Sequence, residues 1–212
     1  MKNKIASGTL NAFIGIGFLI FFISLGLYIA INCRIFYYAD IPDLSAETGY
    51  SEDIIKENYD ALIDYCSPFF KGDLNFPSLP ASESGISHFA EVKVIFNVFF
   101  YIMLVSPVIL TILIFAQHKR KDYSFIKWTP IIMCVAPIVV FALCAIDFES
   151  TFIMFHKIIF RNEDWYFKPD TDPIIMLLPE SFFLKCALIM VTTVLIGCAI
   201  FVVCNIFRKK RR

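Results

Sequence analysis

Charge is the scarcest commodity in this 212-residue chain: only 18% of residues are charged, against 58% hydrophobic and 17% aromatic. A soluble surface needs more charge than that, and twenty-four phenylalanines would leave it insoluble. Lipid is therefore the expected solvent for much of the chain. Histidine is rarer still, with His88, His118 and His156 the only three. Seven cysteines occur, but no CxxC pair and no HExxH run, so neither a zinc ribbon nor a zincin is encoded. Cys134, Cys144, Cys198 and Cys204 lie in apolar runs and read as small hydrophobes. No secretory spacing pattern couples Cys33 with Cys66. There is no GxSxG nucleophile elbow. We expect no cofactor, no metal and no nucleic-acid partner.

What is present is four hydrophobic runs, at about 10–31, 94–116, 128–146 and 184–207. The first covers ~33 Å as a helix, matching a hydrocarbon core of ~30 Å. Three further runs follow it and no small-x-small cleavage site closes it, so it reads as a span and not as a cleaved signal. Pro107, Pro130 and Pro137 fall in or near the second and third runs, where neighbouring helices can satisfy the freed carbonyls.

Net charge is zero, but the signs are segregated. Of 19 acidic residues, all but Asp122 lie in 33–93 or 147–185. Basic residues collect at Lys2 and Lys4, in 118–127, and in the tail Arg208–Arg212. The positive-inside rule then places both termini in the cytoplasm and both acidic segments outside. The fold expected is an all-α membrane protein, a four-transmembrane-helix bundle forming a single integral membrane domain over 1–212. Outer segments 33–93 and 147–183 form an extracytoplasmic cap.

Within the first outer segment, Ser51–Cys66 reads as an amphipathic helix, with Ile54, Tyr59, Leu62, Ile63 and Cys66 as its apolar stripe. Residues 67–85, rich in Pro, Gly and Ser, read as a loop. Ser82 or Ser84 is placed to cap the next helix. In the second segment, Asp172-Pro173 opens a turn, and Ile174–Leu178 is too short to span and reads as an interfacial or re-entrant element.

The topology brings His88, at the outer end of the second span, to the same membrane surface as His156, in the loop after the third. Either alone reads as an interfacial hydrogen-bonder. Both together, amid Glu91, Arg161, Asn162 and Asp172, point to acid–base chemistry, because imidazole exchanges protons near neutrality and polar groups at membrane depth are costly. Glu91, three residues on, is placed to orient His88. Arg161 and Asn162 are candidate donors to an oxyanion or a lipid phosphate. Trp165, Tyr166 and Phe167 read as an aromatic belt, and Asp172 and Glu180 as caps flanking the short apolar element. His118 falls on the opposite, cytoplasmic side and reads as a bystander.

The stretch FHKIIFRNEDWYFKPDTDPIIMLLPESFF, 155–183, resembles the signature of the lipoprotein intramolecular transacylases, and SESGISHFAEVK, 82–93, is similar to that family's second motif. In that motif the family more typically carries Asp where Glu91 stands and a charged residue where Gly85 stands. The four runs and YSEDIIKENYDALIDY fit as well. The resemblance implies a bacterial acyltransferase of the cytoplasmic membrane, acting at its extracytoplasmic side on diacylglyceryl-modified lipoproteins. It implies transfer of the sn-2 acyl chain to the α-amino group of the substrate's N-terminal cysteine, with His88 and His156 as the catalytic pair. Membrane lipids and the lipoprotein are the partners so implied. A membrane lipid-ester hydrolase and a non-catalytic lipid- or partner-binding module are the rival expectations.

Overall fold

The structure, a computed structural model, describes residues 2–210, with side chains from Ser7 onward apart from Ala136. Among the basic residues used to predict orientation, the side chains of Lys2 and Lys4, and all of Arg211 and Arg212, lie outside the described residues. Among the described residues the regular structure is all helical, with no strand. In order they form α1 (Lys2–Asn32), α2 (Ile35–Tyr38), α3 (Ile41–Thr48), α4 (Glu52–Cys66), α5 (Glu83–Lys119), α6 (Phe125–Ile146), α7 (Phe148–Ile159), a 3₁₀ turn (Pro173–Leu177) and α8 (Glu180–Lys210). Four of them, α1, α5, α6 and α8, are long and apolar enough to cross a membrane. The helix α5 has 37 residues. At ~1.5 Å per residue it is ~55 Å long, nearly twice the ~30 Å of a hydrocarbon core. Pro107 in α5 and Pro130 and Pro137 in α6 sit within unbroken helix, as expected of membrane helices.

The chain divides into two compact units. The first comprises Met1–Leu27, Phe100–Ile146 and Ile189–Arg212. Ile14, Leu110 and Phe125 form one buried cluster in it, and Met133, Val194 and Cys198 another, with Phe18 of α1 packed against both. Lipid offers no hydrophobic drive for helices to associate, so close backbone approach matters more here. At Gly26 of α1 an added Cβ would stand 2.7 Å from the Cα of Met190 in α8. Asp122, the one acid outside the two acidic segments, has a role in this unit: it accepts from the Ser7 hydroxyl and from the Ser124 backbone N–H. Asn11 donates to Ser124 Oγ at 2.7 Å, and the fully buried Gln117 donates to Asn11 Oδ1 at 2.6 Å. Buried amides at this depth need such partners.

The second unit comprises Tyr28–Phe99 and Asp147–Leu188. Its centre is Tyr37 stacked on Tyr59, ring centroids 3.5 Å apart and nearly parallel, with Phe182 edge-on to both. The Tyr37 hydroxyl donates to the carbonyl of Leu177 at 2.8 Å. The expected amphipathic helix is α4, capped by Ser51. Its buried face runs through Ile55, Asn58, Tyr59, Leu62, Ile63 and Cys66, with Ile54 only half-buried. Asn58 is tolerated on that face because it donates to the Ile54 carbonyl and to Ser78 Oγ, fastening the 67–82 loop. Arg34 pairs with Asp60 at 2.7 Å and with Asp64, joining α2 to α4.

Two sequence expectations change here. The short apolar element 174–178, read as interfacial or re-entrant, is a 3₁₀ turn that packs Ile174 and Leu177, both fully buried, into the core of this unit. And the stretch holding His156 is not a loop but the helix α7, whose first turn is closed by Asp147 accepting from the Ser150 N–H. It was hidden because Asp147, Glu149, Ser150 and Thr151 end the apolar run of α6, and its 12 residues are too few to register as a span.

Replacing Gly26 by Ala is expected to force α1 from α8 and destabilise the protein by roughly 1–3 kcal/mol. The Gly8→Ala change, where a Cβ meets nothing within 4 Å, is expected to leave stability unchanged or raised. Thermal unfolding of the two variants in detergent separates these outcomes.

Candidate active site

His88 and His156 both belong to the second unit, and it brings them together. Their ring centroids are 6.0 Å apart. His88 is 5% exposed and His156 8%. His88 rides on the first turns of α5. Those turns are fixed from below the helix start: Ser82 Oγ accepts from the Gly85 N–H at 3.0 Å. The same residue donates its backbone N–H and its hydroxyl to Asp172 Oδ1, at 2.8 and 2.9 Å. Thr171 Oγ1 donates to the other oxygen at 2.7 Å. Asp172, 3% exposed, is therefore satisfied by three donors, and it does not cap the element that follows it. It anchors the start of α5 instead. Gly85 is what admits it, since a Cβ there would stand 2.3 Å from Asp172 Oδ1.

His156 lies in the last turn of α7. Its Nδ1 is 2.8 Å from the carbonyl oxygen of Phe152. A carbonyl only accepts, so Nδ1 carries the proton and, in the neutral ring, Nε2 carries the lone pair. Burial lowers the His156 pKa from its ordinary value, and the hydrogen bond to Phe152 offsets this only in part. The ring is a neutral base poised at Nε2. Nδ1 of His88 is buried without a partner among the described residues. A lone pair is cheaper to bury unpaired than an N–H, so the proton of neutral His88 belongs on Nε2.

The remaining wall is aromatic. Phe160 lies 4.6 Å from the His88 ring and 5.4 Å from the His156 ring, centroid to centroid. Phe152 and Trp165 flank His156 at 4.0 and 5.1 Å, and Phe167 flanks His88 at 5.5 Å. Of the expected aromatic belt only Tyr166 is well exposed; Trp165 and Phe167 turn inward onto the two imidazoles. Their spacing from His156 in the sequence was visible, but not which way each ring would turn.

Glu91 does not orient His88. Its carboxylate accepts from Asn162 Nδ2, at 2.9 and 3.2 Å to the two oxygens. Asn162 in turn accepts the indole N–H of Trp165 on its backbone oxygen at 2.8 Å, and the Asp164 N–H on Oδ1. Glu91, Asn162 and Trp165 thus form a chain from α5 to the face of His156. Arg161, beside it, is exposed in a left-handed conformation with φ 56° and turns the chain out of α7. It makes no ion pair among the described residues, and neither does Glu180, exposed in the first turn of α8. His118 belongs to the other unit, where it meets the Tyr123 hydroxyl at 2.8 Å. Among the described residues no three His, Cys, Asp or Glu side chains gather as metal ligands would. Cys33 and Cys66 are free thiols.

Comparison with known proteins gives one family. The profile of lipoprotein intramolecular transacylase Lit matches residues 12–183. No curated protein matches the chain. Among solved structures it is similar to the membrane integral lipoprotein intramolecular transacylase Lit from Bacillus cereus, at 32% identity and a TM-score of 0.87, over 98% of this chain and 99% of that one. Two further structures of that protein have one histidine replaced, by arginine in one and by alanine in the other. They match at 31% identity, over 99% of this chain and 97% of theirs, with TM-scores of 0.82 and 0.83.

Because Glu91 serves as an acceptor, Glu91→Gln is expected to keep turnover within about threefold, its amide oxygen still receiving Asn162 Nδ2. Replacing Asn162 by Leu breaks the chain and should cost at least tenfold, since misplacement by about 1 Å can cost ~10²-fold. Turnover of the two purified variants checks the pair; loss of activity in Glu91→Gln equal to that in a histidine variant would make Glu91 a proton carrier instead.

Proposed function

The chain belongs to the lipoprotein intramolecular transacylase family Lit and is a membrane acyltransferase acting on lipoproteins, and from that premise we propose that His88 and His156 are its catalytic pair. The reaction takes the sn-2 acyl chain of a diacylglyceryl lipoprotein to the α-amino group of the same molecule's N-terminal cysteine. The observation that carries the assignment is the meeting of two buried imidazoles, 68 residues apart in the chain, with ring centroids 6.0 Å apart. That separation is too long for the rings to bond each other well and leaves room for reacting atoms.

The roles follow from the tautomers. Nε2 of His156 takes the proton of the attacking amine, whose own pKa is ~7.7–8. The new C–N bond gives a tetrahedral oxyanion. Nε2–H of His88 donates a hydrogen bond to that oxyanion, and the imidazolium of His156 returns its proton to the departing glycerol oxygen as the ester C–O bond breaks, leaving both rings neutral again. Amine and ester belong to one molecule, so the site mainly folds it into a near-attack geometry. Effective molarities of ~10⁵–10⁸ M for well-oriented intramolecular reactions make a protein nucleophile unnecessary. Glu91, Asn162, Trp165 and Asp172 act as positioning residues. Arg161, exposed at the exit from α7, is a headgroup contact, and Glu180 complements the N-terminal dipole of α8.

The whole chain reads as one integral domain of the bacterial cytoplasmic membrane, with 33–93 and 147–183 on the extracytoplasmic side. The segregation of acidic from basic segments supports that orientation.

Either His88→Ala or His156→Ala is expected to lower lyso-form product by ~10²–10⁴-fold while the protein still folds. Mass spectrometry of lipoprotein N-termini from cells carrying each variant measures this; full product in both would sink the assignment. The titration of His156 gives a second test. Protonating His156 removes its lone pair, and burial lowers its pKa, so the ring is expected to titrate below the ordinary imidazole value of ~6.5, apart from the acid-side loss that the substrate amine itself brings at ~7.7–8. A His156 ring that titrates at or above ~6.5 when followed by NMR in the full chain contradicts the role given to it.

A further inference from the structure

The helix that carries His156 also carries an apolar face that no group among the described residues covers. In α7, Met154, Phe155, Ile158 and Ile159 are 47, 51, 62 and 46% exposed. At ~100° per residue they fall on one arc of about 140°, running from Met154 round to Ile159. Thr151 lies inside that arc, but its hydroxyl donates to the Asp147 carbonyl at 2.8 Å, so it presents no free polar group there. The charged and polar side chains of the helix, Glu149, Ser150 and Lys157, are exposed on the opposite side. The helix has 12 residues, far fewer than the ~20 that cross a hydrocarbon core. It follows α6, a candidate span, after the single residue Asp147.

We propose that α7 is an in-plane interfacial helix, with Met154, Phe155, Ile158 and Ile159 immersed in the lipid leaflet so that His156 is held at the depth of glycerol ester bonds. The partner is therefore a phospholipid leaflet. A membrane protein with an apolar arc backed by charge is the pattern of a helix lying in the headgroup–acyl boundary, its apolar side ~5–10 Å deep. Lys157, with its long apolar stem, sits beyond the arc on the water side. His156 projects about 60° beyond Ile159, between the immersed arc and Glu149. The imidazole is thus at the waterline of the helix, which is where the ester carbonyls of a diacylglyceryl group lie. The membrane itself then acts as part of the positioning machinery: it sets the height of the base relative to the bond it attacks. The link to ester depth rests on the reaction assigned above; the immersion of the helix does not.

Depth-dependent quenching tests it without any activity. Thr151→Trp and Ile158→Trp are made separately in the full chain and reconstituted in phosphatidylglycerol–phosphatidylcholine vesicles. Some of the lipid carries bromine near the headgroup end of its acyl chains, or near the tail end. The emission gained over the parent, which has Trp128 and Trp165, is followed. Both introduced indoles are expected to be quenched alike, and about twofold or more better by the shallow bromines, as an in-plane helix requires. The two positions are ~10 Å apart along the helix axis. Shallow quenching at one and deep at the other would mean that α7 crosses the leaflet, and no quenching at either that protein or water covers it; each overturns the proposal. Phe155→Trp, aromatic for aromatic on the same arc, supplies the reading should Thr151→Trp not fold. Lost activity in the histidine variants with in-plane quenching intact, or the reverse, tells the two readings apart.

Discussion

No single helix could bring the two histidines together, and that constraint organises the second unit. A buried ring on one helix has no reason to face a ring on another unless the backbones are tied. Two carboxylates make the ties. Asp172 reaches back to Ser82 at the start of α5, and Glu91, on α5 itself, receives Asn162 from the segment that follows α7. Both are hydrogen bonds to a charged acceptor, each worth ~1.5–3 kcal/mol when partners are removed. They bracket His88 along the helix, one on each side in sequence, so that the ring cannot tilt without straining one of them. Gly85 is the concession that makes the first tie possible, because any side chain there would occupy the space of the Asp172 carboxylate.

The charged members of the site thus work on the scaffold, while the two neutral rings face each other. This division has a chemical consequence. A carboxylate beside His156 would raise its pKa and favour the protonated form at neutral pH. Here its immediate neighbours are Phe152, Phe160 and Trp165. Burial among them lowers the pKa of His156, and the Phe152 carbonyl selects which of its nitrogens is basic. The site keeps a free base available without an acidic partner, at the expense of orienting the ring through its own helix backbone.

The four crossing helices were legible because hydropathy is a property of single residues summed along a run. Even α4 was legible, since an amphipathic stripe needs only the period of the helix. Its centre was misplaced by one position, at Ile54 instead of Ile55, because Asn58 hides inside the buried face until Ser78 is known to pair with it. The meeting of His88 with His156 was foreshadowed by charge segregation, which put both at one surface. What the sequence could not reveal were the pairings: Glu91 with Asn162 and not with His88, Asp172 with Ser82 and not with the turn it precedes. Each lies between residues 70 or more apart, and i,i+3 spacing on a helix favoured the wrong partner for Glu91. The inward turn of Trp165 and Phe167 was hidden for the same reason, as an interfacial belt and a site wall have the same composition.

The aromatic wall also bears on why such a site would transfer an acyl chain and not release it. An ester attacked by water and an ester attacked by an amine pass through similar oxyanions, and a histidine base serves either nucleophile. What separates them is which nucleophile is present at the carbonyl. Rings packed around both imidazoles leave little polar surface to hold a water molecule in line for attack, since an ordered water needs two to four polar partners. The substrate's own amine needs no such shell, being tethered to the bond it attacks. A wall of phenylalanine and tryptophan thus discriminates by hydration, and the intramolecular route prevails where the bimolecular one is starved of its reactant.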